Sequence, residues 1–217
     1  MTLISILLAL TEAGYSQNIN WRSLNENQPN SVQFHVGYDF GITTKIGYSR
    51  SFTLIKPVTL SLNYSVPMGN KLMDDFKVNI GGQVEVFEID GFSAAIKISS
   101  IFRRYQTDLV RMLDFGSDFG IVAGYYNPDW YAAGEFGFDK SITANIKHSD
   151  IMKTNFPGIT DGWYIPLGGN FYYGIQAGKS IGESYDFSLR FGATQAQFHD
   201  ENSMLPYYLQ LGMGMRF

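Results

Sequence analysis

The fold is decided by residues 207–217, which read YYLQLGMGMRF. Apolar and polar residues alternate along this stretch. One face carries Tyr207, Leu209, Leu211, Met213, Met215 and Phe217, and the other carries Tyr208, Gln210, Gly212, Gly214 and Arg216. A period of two residues is typical of a β-strand with one apolar and one polar face, and not of a helix. The C-terminus therefore predicts a two-faced strand.

The same alternation recurs upstream, most clearly over 58–66, where Leu60, Leu62 and Tyr64 are separated by Ser61 and Asn63. Most of the segments reach the roughly 9–11 residues that a tilted strand needs to cross a bilayer. The sequence predicts ten strands, over residues 31–40, 41–54, 58–67, 76–89, 92–104, 113–127, 129–148, 170–182, 185–198 and 205–217.

Connections alternate between tight turns, at 55–57, 90–91, 127–129 and 182–184, and longer loops, at 67–75, 105–112, 149–169 and 199–204. Short turns on one rim and long loops on the other are typical of outer-membrane barrels. We expect an all-β, antiparallel, transmembrane up-and-down β-barrel of about ten strands, with eight possible. Its turns and both termini would be periplasmic and its loops extracellular. The alternative is a soluble β-sandwich or lipocalin-like barrel, whose apolar face would point inward.

Composition narrows the function. The net charge of −4 gives no broad basic surface for nucleic acid, and the absence of cysteine removes disulfides and thiolate metal sites. Residues 1–17 resemble a signal peptide with an apolar stretch at 4–10, although a basic n-region is missing, so a segment that belongs to the fold is the alternative. We expect a periplasmic lead-in over 18–30 and a barrel domain over 31–217.

The C-terminal strand also carries a resemblance. Leu209, Leu211, Met213, Met215 and Phe217 resemble the terminal signal that the barrel-insertion machinery reads in bacterial outer-membrane proteins. With Tyr15-Ser16-Gln17, the chain resembles small outer-membrane β-barrel domain proteins of Bacteroidota. The resemblance implies an integral outer-membrane location, with membrane lipid and the insertion machinery as partners. It carries no active site.

Parity assigns a set of charged residues to the lumen. They are Lys45, Lys77, Glu85, Lys97, Arg103, Asp114, Asp118, Glu135, Asp139, Lys147, Asp186, Arg190 and Arg216. Because unpaired buried charge is costly, we expect these groups to form ion pairs. About ten strands leave too little interior for a wide porin. Glycines on the same face would either admit a narrow channel or let large neighbours pack.

Motifs for catalysis are weak, and we expect no catalytic, cofactor-binding or metal-binding residues. Residues 178–182 match G-x-S-x-G, but the serine lies beside a hairpin and not at a strand-to-helix turn. A rim cluster loosely resembles the site of omptin-type proteases and leaves an outer-membrane hydrolase as a minor alternative. Its members are Asp74, Asp75, His148, Asp150, His199 and Asp200.

Loop 149–169 is strongly apolar for an exposed segment, with Phe156, Trp163 and Tyr164 as its candidate contact residues. It would plug the lumen, pack on the rim or bind a partner protein. The leading hypothesis is a non-enzymatic structural or accessory subunit of an outer-membrane protein complex that uses this loop. The alternative is a narrow channel for ions or small solutes.

Overall fold

The computed structural model describes residues 19–39, 41–68, 74–198 and 206–217. The predicted signal peptide and the loop predicted at 199–204 lie outside these residues. Within them, no helix is long and apolar enough to span a membrane. The elements are β1 (Asn30–Tyr38), β2 (Ile42–Thr53), β3 (Pro57–Pro67), β4 (Asp75–Ile89), β5 (Phe92–Gln106), β6 (Val110–Tyr126), β7 (Trp130–His148), α1 (Asp150–Asn155), β8 (Gly162–Tyr164), β9 (Asn170–Ile181), β10 (Tyr185–Ala196) and β11 (Tyr207–Arg216).

Ten long strands form a closed antiparallel barrel. Each pairs with the next along the chain, β7 pairs with β9, and β1 closes the ring against β11. At the seam the backbones of Asn30 and Phe217 bond reciprocally, at 3.1 and 3.0 Å. The predicted ten-stranded antiparallel barrel is confirmed, with strand ends within three residues of prediction. The short β8 pairs only with the end of β7.

The strands are strongly staggered. The stagger can be measured by stepping from each residue to the residue directly opposite it on the next strand. A path that starts at Tyr126 on β6 and passes through His35 on β1 returns to β6 at Asp114, twelve residues from where it began. Such stagger tilts the strands by roughly 35–45° from the barrel axis. The interior of a ten-stranded barrel is then narrow enough for side chains to fill it.

The two ends of the barrel differ. The turn end carries the connections 54–56, 90–91, 127–129 and 182–184, and the seam residues Asn30 and Phe217. At 90–91, Asp90 and Gly91 both have left-handed backbones (φ 49° and 83°), as a two-residue primed hairpin turn requires. The other end, the loop end, carries the remaining connections. Two of these connections, 39–41 and 107–109, are as short as the turns, whereas 149–169 is long. The longer loop predicted over 105–112 was wrong, because β5 and β6 continue to Gln106 and Val110 and the backbone N–H of Thr107 donates to the carbonyl of Val110 at 2.8 Å.

The two faces of each strand are inverted relative to a soluble protein. On β3, Leu60 and Leu62 point outward and are 51% and 47% exposed. Asn63 on the same strand points inward and is 8% exposed. The same division holds on β11, where Leu209, Leu211 and Met213 are exposed. The alternative of an inward-facing apolar side is wrong, because the buried residues are mainly polar.

A bulge in β7 reverses this parity near the loop end. Phe115 is paired with Thr143 and Gly116 with Ser141, so Ile142 is an extra residue in β7. Beyond it Ala144 and Ile146 point inward, and Lys147 lies exposed on the outer wall. The assignment of Lys147 to the lumen was wrong, because one inserted residue moves every later side chain to the opposite face.

Candidate functional site in the barrel lumen

The middle of the lumen is filled by a cluster of five side chains, the central cluster: Lys97, Glu135, Tyr172, Arg190 and Tyr208. Arg190 Nε lies 2.5 Å from Glu135 Oε1, and the Tyr208 hydroxyl donates to the same oxygen at 2.7 Å. Lys97 Nζ lies 3.8 Å from Glu135 Oε2. The Arg190 guanidinium also stacks 4.2 Å from the centroid of the Tyr208 ring. One carboxylate thus compensates two buried cations.

Two inward glycines make room for the tyrosines of this cluster. A side-chain carbon on Gly137 would overlap the Tyr172 ring, and one on Gly192 would overlap the Tyr208 ring. Each ring therefore covers backbone on a neighbouring strand where no side chain stands. The sequence left open whether inward glycines admit a narrow channel or let large neighbours pack. At Gly137 and Gly192, large neighbours pack.

Most charges of the lumen concentrate on two adjoining arcs of strands, although Arg190 lies on β10 and Glu85 on β4. The basic wall, on β2, β4 and β5, consists of Lys45, Lys77, Lys97 and Arg103. The acidic wall, on β6 and β7, consists of Asp114, Asp118, Glu135 and Asp139. The walls meet where Arg103 is the direct cross-strand partner of Asp114. Arg103 Nε also lies 3.6 Å from Asp75, an acid on β4.

The remaining predicted lumen residues lie at the turn end. Glu85 and Arg216 are buried, and Asp186 is partly buried with its carboxylate 3.0 Å from Arg216 Nε. Thirteen charged residues were predicted to line the lumen. Apart from Lys147, all of them point into the barrel. Parity located them, because β7 follows the regular alternation as far as its bulge.

The N-terminal plug, residues 19–24, closes the turn end of the lumen. Trp21 stacks on Tyr126 with ring centroids 3.8 Å apart, and its indole N–H donates to Glu85 Oε2 at 3.1 Å. Arg22 Nη2 lies 3.3 Å from Glu85 and 2.5 Å from Glu88. The stretch predicted as a lead-in thus packs inside the barrel mouth.

Backbone contacts hold the plug on its other side. The Asn20 side-chain amide donates to the carbonyl of Asn127 at 2.7 Å, and Arg216 Nη1 donates to the carbonyl of Ser23 at 2.8 Å. Between the plug and the strands lies a cavity of about 10 Å³, lined by residues that include Gln33 and His35. That volume holds about one water molecule. The plug therefore occupies the turn end of the lumen.

The described rim residues proposed for hydrolysis make contacts outside the proposed cluster. Asp75 pairs with Arg103, and His148 Nδ1 lies 3.1 Å from Asp161. Asp150 lies in the first turn of α1, while His199 and Asp200 lie outside the described residues. Ser180 lies in β9 and donates to Asp186 at 2.6 Å, so no nucleophile elbow forms. Across the described ranges no three potential ligands are grouped to hold a metal ion.

Asp161 organises loop 149–169, although no sequence motif singles it out. Its carboxylate accepts the backbone N–H of His148 at 2.8 Å and the Lys153 ammonium at 2.7 Å. These donors, the backbone bond first, hold the pKa of Asp161 well below its usual range. Ser149 caps α1 by accepting the N–H of Met152. These hydrogen bonds from His148 and Lys153 to Asp161, the Asp161 clasp, hold the otherwise apolar loop against the end of β7.

The loop packs on the outer wall and not in the lumen. β8 pairs with residues 144–146 of β7, and the Trp163 ring lies 6.1 Å from the outward-facing Phe115 ring. Lys140, also on the outer wall, donates to the carbonyl of Leu167 at 3.1 Å. The sequence analysis considered that the loop plugs the lumen, packs on the rim or binds a partner protein. In the structure it packs on the rim. Its exposed apolar residues include Phe156, Trp163, Tyr164, Ile165 and Leu167.

No protein-family model matches the chain, and no curated protein matches it. Solved structures similar to it include the KdgM porin, with a TM-score of 0.43 and 9% identity over 86% of this chain and 99% of the porin. The outer-membrane protein Omp33 of Acinetobacter baumannii aligns with a TM-score of 0.35 and 11% identity, over 88% and 98% of the two chains. The β domain of the Bordetella autotransporter BrkA gives 0.35 and 14%, over 88% and 99%.

Proposed function

We propose that this chain is an integral outer-membrane β-barrel that acts as a narrow channel for ions or small solutes, closed at rest by the N-terminal plug. The observation that carries the proposal is the divided charge of the lumen. A barrel built for stability alone has no need of it, because replacing buried ion pairs with apolar residues is often neutral or stabilising. Adjoining walls of opposite charge suit the passage of small charged or polar solutes.

The outer wall supports the membrane location. On β6 the outward aromatic residues Phe115 and Tyr125 are ten residues apart, and each stacks near a tryptophan, Trp163 and Trp130. Ten residues rising about 3.3 Å each, tilted by about 40°, span roughly 25 Å. That is the height of the apolar band between the aromatic girdles of outer-membrane barrels.

Water is expected in the lumen. Among the described residues, the side-chain amide of Gln176 has both polar atoms buried without a hydrogen-bond partner, and Asn79 and Gln83 have one each. Buried polar groups in proteins are nearly always satisfied by protein or water. Gln176 is the cross-strand partner of Arg190, so this water would lie beside the central cluster.

Planar-bilayer recording tests the channel. We expect small, intermittent discrete conductance steps, because Trp21 and the central cluster both narrow the lumen. Lys97→Gln should shift selectivity toward cations by removing one charge of the basic wall. Lys179→Gln on the outer wall is the matched control and should leave selectivity unchanged. A change in gel migration on boiling shows that the barrel is folded. Absence of conductance from protein that passes this check would contradict the proposal.

A second candidate is an accessory subunit of an outer-membrane protein complex. It is favoured by the loop residues Ile165 and Leu167, which are 79% and 78% exposed and stand beside the apolar wall. A partner protein would cover them. Co-purification in mild detergent, lost on deleting residues 156–167, is the expected result for this function. Retention of the partner by the deleted chain would remove the loop as the contact.

The insertion machinery is a further proposed partner during assembly. Leu209, Leu211, Met213, Met215 and Phe217 all face outward on one side of the seam strand, which leaves them accessible to another protein before the barrel closes. Deleting Phe217 should reduce assembled barrel in cells. The resemblance to barrels of Bacteroidota stays a prediction.

A further inference from the structure

The outer wall carries a continuous row of aromatic rings near the loop end, the aromatic band: Tyr64, Phe76, Phe102, Phe115 and Trp163. Successive ring centroids are 5.7, 5.8, 5.0 and 6.1 Å apart. The band crosses β3 to β8, and such girdles lie at the interface between hydrocarbon and headgroups. Residues of these strands nearer the loop end therefore lie at headgroup level.

Two cations face each other directly at that level. Arg111 on β6 is the cross-strand partner of Lys147 on β7, and both are exposed on the outer wall. Like charges opposite each other in a sheet are destabilising. In the described part of the chain neither forms an ion pair, and the adjoining acids Asp108 and Asp150 lie in the neighbouring turn and in α1.

A third cation adjoins this pair. Arg104 on β5 lies between Phe76 and Leu113 in the sheet, and its Nη2 donates to Gln106 at 2.5 Å. Gln106 is the cross-strand partner of Arg111, so the guanidinium is directed toward the pair. An anion placed above them would meet three positive groups, and an attached acyl chain would lie along the aromatic band.

We propose that Arg104, Arg111 and Lys147 bind the phosphate of an anionic membrane lipid whose acyl chains lie against the aromatic band. The inference rests on the proposed membrane location, but not on conduction. A bound phosphate would relieve the repulsion between Arg111 and Lys147. The aromatic band favours a lipid over a soluble phosphate. Only a lipid contacts the three cations with its phosphate and the aromatic band with its acyl chains.

Quenching of Trp163 fluorescence by brominated lipid tests the site. Trp21→Phe and Trp130→Phe leave Trp163 as the only tryptophan, and this chain is inserted into phosphatidylcholine vesicles containing brominated phosphatidylglycerol or brominated phosphatidylcholine. We expect phosphatidylglycerol to associate more strongly. Arg111→Gln with Lys147→Gln should reduce that preference on the order of 30-fold, from about 1 kcal/mol for each cation near an anionic surface.

Lys179→Gln is the matched control, because Lys179 also faces outward but lies at the turn end, away from Trp163. It should keep the preference. Equal quenching by both lipids, or an unchanged preference in the Arg111/Lys147 variant, would overturn the proposal. Loss of the preference in inorganic phosphate, but not in chloride of equal ionic strength, would assign the site to a soluble anion instead. Quenching by neither lipid would overturn the membrane location, whereas a silent bilayer with intact lipid preference would overturn only conduction.

Discussion

Neutralising Glu135 should destabilise the barrel severely, because this carboxylate compensates Arg190 and Lys97 at the centre of the lumen. In Glu135→Gln both cations stay buried, and Tyr208 loses its charged acceptor. Removing one partner of a buried ion pair costs about 3–5 kcal/mol, and a hydrated lumen places the expected loss at the lower end, about 3 kcal/mol.

Urea titration of the barrel in lipid vesicles, followed by tryptophan fluorescence and gel migration, measures this free energy. The matched control is Glu183→Gln, an exposed acid in the 182–184 turn, which should change the free energy of unfolding by no more than about 0.5 kcal/mol. Replacing both partners, Glu135→Leu with Arg190→Met, should recover only part of the loss, because Arg190 no longer leaves an uncompensated charge whereas Lys97 still lacks the Glu135 carboxylate. A Glu135→Gln barrel as stable as Glu183→Gln would show that Glu135 does not stabilise the buried cations of the central cluster.

Three further predictions follow from other parts of the barrel. Trp21→Ala removes the stack on Tyr126, so it should lower the free energy of unfolding by about 3 kcal/mol and lengthen channel openings; unchanged openings would show that the plug does not close the lumen. Gly192→Val displaces the Tyr208 ring and should cost about 1–3 kcal/mol in the same urea assay. Because hydrogen-bond donors hold the pKa of Asp161 low, its clasp is fully present above about pH 4 and is lost as the pH falls through the folded-state pKa. Hydrogen exchange in loop 149–169, corrected for intrinsic pH dependence, should therefore rise in acid, and Asp161→Asn should show fast exchange at every pH.

The fold could be predicted because the barrel repeats one simple rule. Alternation over stretches such as 58–66 sets both the strand period and the outward face, and tight turns such as Asp90-Gly91 mark one end. Neither depends on contacts between distant residues. For the same reason parity located the charges of the central cluster, since their strands are regular at those positions.

Features that depend on tertiary contacts were not predictable. The extra residue Ile142 leaves no mark on the local alternation, yet it moves Lys147 to the outer wall. Trp21 is a single aromatic residue in a polar stretch, and its place in the lumen follows from Tyr126 and Glu85, more than sixty residues away. Asp161 gains its role only when the loop folds back on His148. An isolated large aromatic residue in a polar segment was the one available signal for the plug.

The proposed membrane location requires that the apolar face of each strand meets lipid and that the polar face lines the lumen. The chain has no cysteine, so single cysteines at 60–64 on β3 can carry spin labels one at a time in vesicles. Collision with oxygen, which concentrates in hydrocarbon, should be high at Leu60, Leu62 and Tyr64 and low at Ser61 and Asn63. The opposite phase, with oxygen access at Ser61 and Asn63 and water access at Leu62, would contradict the account.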